Sequence, residues 1–421
     1  MDAELVVANG DVTTLVNDLR TLIPAGSDVA DTVAEIIADV RLRGDAALAE
    51  YTSRFDLNGE PAPATVVPAE LIAQAAAKLD PAVRHALELA IDNVGGVGEA
   101  AVNPDVTVSR NGATVKVKEA PVSSAAVYVP GGRAPYPSTV VMGVTTARAA
   151  GVGDVVVCSP PTDNGEINHV ILAACRLAGV RAVYRMGGAQ SIAALAYGTE
   201  TVKPVDVIVG PGNLYVQEAK RQVSAQVGLD GFAGPSDLLV LADPGADPGP
   251  ITLDLLAQAE HGPGTLVVAA STSRELLQAL ADSVGQSANT GAVCRLIELT
   301  QPGQAFELAQ AFAPEHLQLI GTHAEELAEA VTRAGSVFVG PDAATAFGDY
   351  IAGSNHILPT DGAARFASSL SSRTFRRTFT EVRVSDPTTL ARAAAPLARA
   401  EGFELHAQSM EARIRDNRAD D

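Results

Sequence analysis

The 421 residues hold only 3 cysteines, Cys158, Cys175 and Cys294, and no two of them form a CxxC pair. So odd and sparse a set offers no disulfide framework and suits a reducing compartment. Basic residues are also short, with 30 Lys and Arg against 50 Asp and Glu, a formal charge of −20. A chain this acidic is repelled by phosphate backbones, and no basic stripe offsets the deficit, which argues against a nucleic-acid partner. No apolar run approaches the ~18 residues that mark a membrane span. The opening MDAELVVANGDVTT carries acids where a secretory leader carries basic residues and an apolar run. The cytoplasm is the expected location. A complete GxGxxG is missing too: Gly210-Pro211-Gly212 and Gly262-Pro263-Gly264 have its opening without its third glycine. The usual dinucleotide fingerprint therefore gives no lead, and no tandem repeat or low-complexity segment stands out.

What is present is an ordinary globular balance, 47% hydrophobic and 19% charged, in a chain too long for one core. Residues 31–56 read as amphipathic helix, with Val33, Ile36, Ile37, Val40 and Leu42 near the helical period and Gly44 interrupting it. A second helical stretch runs from Ala69 to about Val94, broken near Asp80-Pro81. In the middle of the chain four β-like runs, AAVYVPGG, DVVVCSPP, AVYRMGG and DVIVGPG, each end in a Gly/Pro turn. Helical patterns such as INHVILAACRLAGV and SIAALAYG separate them, the rhythm of parallel βαβ units. In such sheets ligands bind beyond the carboxyl ends of the strands, here the loops that hold Tyr128, Gln190 and Asn213. The runs SDLLVLAD, TLVVAAS and SVFVG predict further strands of a second α/β region, and the tail from Asp386 predicts helix. Cys158 ends a strand-like run and Cys175 sits in a helical one, both read as packing.

Seven histidines are available for chemistry. His85 and His169 fall in helical patterns and His323 in a polar turn, as solvated or structural residues. Gln258 and His261, in LLAQAEHGP, share a helix face at i and i+3 and could grip one object. A lone His in a last turn also serves the helix dipole, so both readings stand on this segment alone. GDYIAGSNH places Asp349 and His356 in a Gly-flanked loop. EGFELHAQS places Glu401 before, and His406 at, the start of the last helical pattern. A carboxylate, imidazoles and an amide oxygen suit Zn²⁺ or a similar divalent ion, although spacings this long do not decide it. In APEHLQLI, Pro314 reads as the first residue of a helix, with Glu315 and His316 side by side in its first turn. A Glu/His pair suits alternating general-base steps; a capping acid beside a bystander His is the other reading.

Taken together the chain resembles the histidinol dehydrogenases. The stretches that carry the likeness are YVPGGRAPYPSTVVM, GGAQSIAALAYGTETV, VDVIVGPGNLYV, AGPSDLLVLAD, LLAQAEHGP, FAPEHLQL, FGDYIAGSNHILPT and EGFELHAQS. They run in the family's order over nearly the whole length, and VRLRGDAALAEYTSRFD belongs with them. The resemblance implies a zinc enzyme that uses two NAD to convert L-histidinol, through L-histidinaldehyde, to L-histidine. It implies Gln258, His261, Asp349 and His406 as zinc ligands and Tyr128, Gln190 and Asn213 as NAD contacts. Substrate contacts would be Ser236, the ligand positions, His316, His356 and Glu401. His316 would be the base for hydride loss, and Glu315 would activate water against the aldehyde. The implied fold is two incomplete Rossmann-like α/β domains with parallel sheets and a helical C-terminal tail exchanged in a homodimer. The expected divisions are 1–25, 26–119 with 239–381, 120–238 and 382–421. Asp237 departs from the family, which more often has Glu there. A related dehydrogenase of another alcohol, a zinc hydrolase and a non-catalytic relative are the competing readings.

Overall fold

The computed structural model describes residues 1, 3–8, 11–23, 28–131, 134–301 and 303–415. Gly132 and Arg133 of the YVPGGR run and the last six residues of the tail thus lie outside the described residues. The chain divides into two compact units, Met1–Ala101 with Val122–Phe375, and Val102–Pro121 with Arg376–Asp421.

The larger unit contains two parallel sheets. The five-stranded sheet comprises β4 (Ser124–Tyr128), β5 (Asp154–Ser159), β6 (Ala182–Arg185), β7 (Val207–Val209) and β8 (Gly228–Leu229). Its order is β6-β5-β4-β7-β8, with every pair parallel. The apolar runs of the sequence become these strands because helices cover both faces, so neither face needs polar residues. Val127 joins one core with Ile171 and Ala174, whereas its neighbours Ala126 and Tyr128 join the opposite core with Ile37 and Ile192. The expected helix at 31–56 is two, Ala30–Arg43 and Asp45–Asp56, parted at Gly44.

The six-stranded sheet comprises β1 (Ala3–Val7), β9 (Asp237–Ala242), β10 (Leu266–Ser271), β11 (Val293–Glu298), β12 (His316–Ile320) and β13 (Ser336–Val339). Its order is β1-β11-β10-β9-β12-β13, again parallel throughout. Here one expectation is corrected: APEHLQLI does not open a helix. His316–Ile320 is a fully buried strand between β9 and β13. Leu317 and Leu319 alternate with Gln318, a period of two that the Pro314 signal masked. Gln318 is affordable inside because it donates to Asp254 at 2.6 Å and to the Ala343 carbonyl.

The smaller unit holds an antiparallel sheet in the order β14-β3-β2, made of β2 (Val106–Arg110), β3 (Ala113–Pro121) and β14 (Arg376–Val384). Two helices follow, Pro387–Ala400 and Glu404–Glu411, as the tail composition predicts. Among the described residues no helix is long and apolar enough to cross a membrane.

Candidate active site

The three residues expected at strand ends lie along the carboxyl edge of the five-stranded sheet. Tyr128 closes β4, and its hydroxyl accepts a hydrogen bond from the Gly188 N–H at 3.3 Å. Gln190 lies in the first turn of the helix Gly188–Tyr197; it is buried, and its Nε2 has no partner. Asn213 caps the helix Leu214–Val223 by accepting from the Val216 N–H. The loop between β7 and that helix presses on β4. A side chain at Gly210, whose φ is +119°, would put its Cβ 2.1 Å from the Tyr128 carbonyl oxygen, so only glycine fits. Both peptide groups of Gly210 are held from inside: its N–H donates to Asp230 at 2.7 Å, and Lys220 Nζ donates to its carbonyl and to Asp230. Lys220 and Asp230 form a buried ion pair of 2.8 Å, a feature invisible in the amphipathic run LYVQEAKRQV.

Of the other expected residues, all but Glu401 and His406 gather at the amino edge of the six-stranded sheet. Ser236 and Glu315 immediately precede β9 and β12, which are neighbours. Ser236 Oγ donates to Glu315 Oε2 at 2.5 Å and accepts from Gln258 Nε2 at 2.6 Å. Gln258 lies in the last turn of the helix Pro248–Ala259, and His261 falls in the turn beyond it and not on the helix face that the spacing suggested. His316 Nε2 meets Asp349 Oδ1 at 3.2 Å, while its buried Nδ1 has no partner and stands 3.8 Å from Glu315 Oε2. Asp349 was expected in a loop; it sits instead in the short helix Thr345–Tyr350. Gly348 lets that helix close on the sheet, since a Cβ there would lie 2.5 Å from the Phe338 ring. The same ring lies beside His316, centroids 5.8 Å apart. His356 does lie in the following loop, its Nδ1 near the Asp349 carbonyl at 2.9 Å and its Nε2 near Thr139 Oγ1 at 3.2 Å.

Burial and charge divide the proton affinities. Burial pushes the Glu315 carboxyl up to about 7, with the Asp237 charge adding to the rise and His316 opposing it. For His316, burial disfavours the charged ring, but the Asp349 hydrogen bond and the charges of Glu315, Asp349 and Asp237 outweigh it and lift the ring to about 9. Asp349 resists the effect of burial through His316 and stays below the usual carboxylate range. Desolvation lowers His261 and His356, which favours neutral imidazoles; His261 keeps part of its surface in solvent and feels both Asp349 and His316. Neutral imidazole, ionised carboxylate and an amide are the forms in which these groups bind a cation.

The structure thus gathers Ser236, Gln258, His261, Glu315, His316, Asp349 and His356 in one neighbourhood. Glu401 and His406 belong to the smaller unit, where both are exposed, Glu401 in the turn between the two tail helices. Among the described residues no group of three or more His, Cys, Asp or Glu side chains is arranged to hold a metal ion.

The profile of the histidinol dehydrogenases matches residues 24–414. The chain belongs to that family. Histidinol dehydrogenase of Parasynechococcus marenigrum is 42% identical over 409 residues, covering 94% of this chain and 93% of that one. The Pseudomonas aeruginosa histidinol dehydrogenase is 41% identical over 405 residues, covering 93% and 92%. The crystal structure of histidinol dehydrogenase from Elizabethkingia anophelis superposes with a TM-score of 0.91 at 30% identity, covering 98% of each chain. For a histidinol dehydrogenase relative, the residues that sequence reading missed are Arg20, Asp237 as a ligand of Glu315, Lys220 and Asp230. Their partners lie 10 to 292 residues away, and no local motif marks these pairings.

Proposed function

We propose that this chain oxidises L-histidinol twice at the expense of two NAD, through L-histidinaldehyde to L-histidine, the last steps of histidine biosynthesis. The observation that carries the reading is the chain of contacts Gln258–Ser236–Glu315 beside His316–Asp349, which sets two bases of different strength at one sheet edge. On this reading Tyr128, Gln190 and Asn213 contact NAD. The unpartnered Nε2 of Gln190 supplies a donor, and two helix N-termini face the same edge, where a pyrophosphate is favoured.

Zinc fits the donor set. With Gln258 Nε2 committed to Ser236, its oxygen is the atom left for a cation, and His261 and Asp349 add a ring nitrogen and a carboxylate. His406 is the fourth ligand on this reading and, with the substrate contact Glu401, comes from the tail of a second copy of the chain. Exposed Leu397, Phe403 and Leu405 around that tail are surfaces a homodimer would cover. Zinc bound there supplies a template for the nitrogen atoms of the substrate.

The protein groups then divide the protons. Because His316 Nε2–H points at Asp349, the lone pair sits on Nδ1, and Nδ1 takes the hydroxyl proton as hydride leaves for NAD. A cation held by Asp349 would weaken that carboxylate's support of a charged ring and would favour the neutral form of His316 that accepts the proton. Glu315 takes a proton from the water that adds to the aldehyde, and His316 acts again as the hydrated aldehyde gives up its hydride. Ser236 and His356 complete the wall around the substrate. The enzyme works in the cytoplasm.

The first test mixes zinc-loaded protein with a limiting amount of L-histidinol and excess NAD and follows NADH to its plateau. Two NADH per histidinol is the expected result. One would remove Glu315 from its role, and none would move the activity to another alcohol or to hydrolysis.

A further inference from the structure

Glu315 is held by more than Ser236. The Asp237 N–H donates to Glu315 Oε2 at 3.0 Å, and the Glu315 N–H donates to Asp237 Oδ1 at 2.7 Å, a reciprocal clamp between β9 and β12. Asp237 is wholly buried, and its other oxygen receives Arg20 Nη1 at 2.7 Å and the Asp361 N–H at 3.2 Å. Three donors and no acceptor around one carboxyl call for its ionised form. A second negative charge so near Glu315 would be prohibitive without a cation, and Arg20 is that cation.

Arg20 is itself fixed at three points. It belongs to the helix Val12–Thr21 and ion-pairs with Asp237; its Nη2 donates to the Phe312 carbonyl at 2.8 Å, and its guanidinium stacks 4.1 Å from the Phe312 ring centroid. Phe312 ends the helix Gly303–Phe312, three residues before Glu315. One planar group therefore ties the strand that carries Asp237 to the chain that delivers Glu315.

We infer that Arg20 and Asp237 are positioning residues for Glu315, the guanidinium orienting a buried carboxylate that grips the base by its backbone. The inference rests on Glu315 acting as the base of the aldehyde step. The charged groups around Glu315 are Asp237 and His316, with Arg20 and Asp349 directly behind them and Asp361 at 3.5 Å from Arg20. Burial already pushes Asp237 upward and Arg20 pulls it back, so removing the guanidinium and removing the Asp237 charge should act on Glu315 with opposite sign.

The test uses full-length zinc-loaded protein and measures histidinol oxidation and histidinaldehyde oxidation separately across pH. Arg20→Met is expected to slow aldehyde oxidation by about tenfold or more and leave the first hydride transfer within about twofold. It should also move the pH midpoint of aldehyde oxidation up, because without the guanidinium the buried Asp237 and Glu315 carboxyls compete to carry one negative charge and give up their second proton only at higher pH. Asp237→Asn keeps the shape and should move that midpoint down; it carries the test if Arg20→Met does not fold. Arg20→Lys, which keeps the charge and loses the fork, should restore the midpoint and only part of the rate. Equal loss in both half-reactions, or midpoints that stay put in both variants, would overturn the inference. Glu315→Gln run alongside separates the failures: if it spares aldehyde oxidation, the base assignment itself falls.

Discussion

The two parallel sheets of the larger unit present opposite edges to chemistry. In the five-stranded sheet the residues assigned to NAD follow the carboxyl ends of β4, β6 and β7, where open α/β sheets usually bind ligands. In the six-stranded sheet Ser236, Glu315 and His316 stand at the amino ends of β9 and β12, and Gln258 reaches them because its helix runs back from the far edge. Their internal charges differ as well. The first edge is locked by the Lys220–Asp230 pair, a matched cation and anion that fix one glycine. The second carries two buried carboxyls and a buried imidazole against one guanidinium, and proton affinities there are displaced. A loop that only has to hold a cofactor can be rigid and electrically balanced. A site that has to move protons keeps its imbalance.

The largest effect expected separates the edges by rate. Glu315→Gln should slow histidinaldehyde oxidation ~10²–10⁴-fold while NAD affinity, measured by NADH fluorescence, stays within about twofold. In the parent enzyme the same step should rise with pH through about 7, where the Glu315 carboxyl loses its proton. Breaking the balanced edge is next in size. Lys220→Met strands Asp230 in the interior and should cost about 3–5 kcal/mol in denaturant unfolding, with NAD bound more weakly and the KM for histidinol unchanged. A sharper reading of the imbalanced edge comes from stability against pH. The folded state raises Glu315 from 4.5 to about 7, so its contribution is fully favourable below 4.5 and is lost as pH climbs through 7. Glu315→Gln removes that loss, and its unfolding free energy should exceed the parent's by on the order of 3 kcal/mol above pH 7, with no such gain at pH 4. The smallest change is Gln190→Ala, expected to weaken NAD by about tenfold without altering zinc content, since only one donor is removed.

Much of this was legible from order and pattern. Continuous apolar runs closed by Gly/Pro turns gave β4, β5, β6 and β7, because a strand covered on both faces needs no polar residue. β12 is masked, because proline before a Glu-His pair imitates a helix start and the alternation Leu-Gln-Leu is too short to overrule it. Nor does an apolar run mark β2, β3 or β14. Sequences such as VTVSR and RRTFTEVRV do alternate, but they leave much of their surface exposed, and Arg376 pairs with Pro121 across more than 250 intervening positions. Tyr128, Gln190, Asn213, Gln258, His261, Glu315 and Asp349 were reachable because each stands in or beside a motif. Arg20 and Lys220 were not: each lies in an amphipathic helix among other polar residues, and only the folded chain supplies the acid it serves.

The three thiols, two of which the sequence places only as packing, have a use of their own. Cys158 is on β5, Cys175 is in the helix that covers the same sheet, and Cys294 is on β11 of the other sheet. All three are shut away from solvent. A thiol reagent added to the native protein can reach them only when the surrounding layers part. The order in which they are alkylated is therefore a built-in clock for opening, and it records separately how often each sheet breathes.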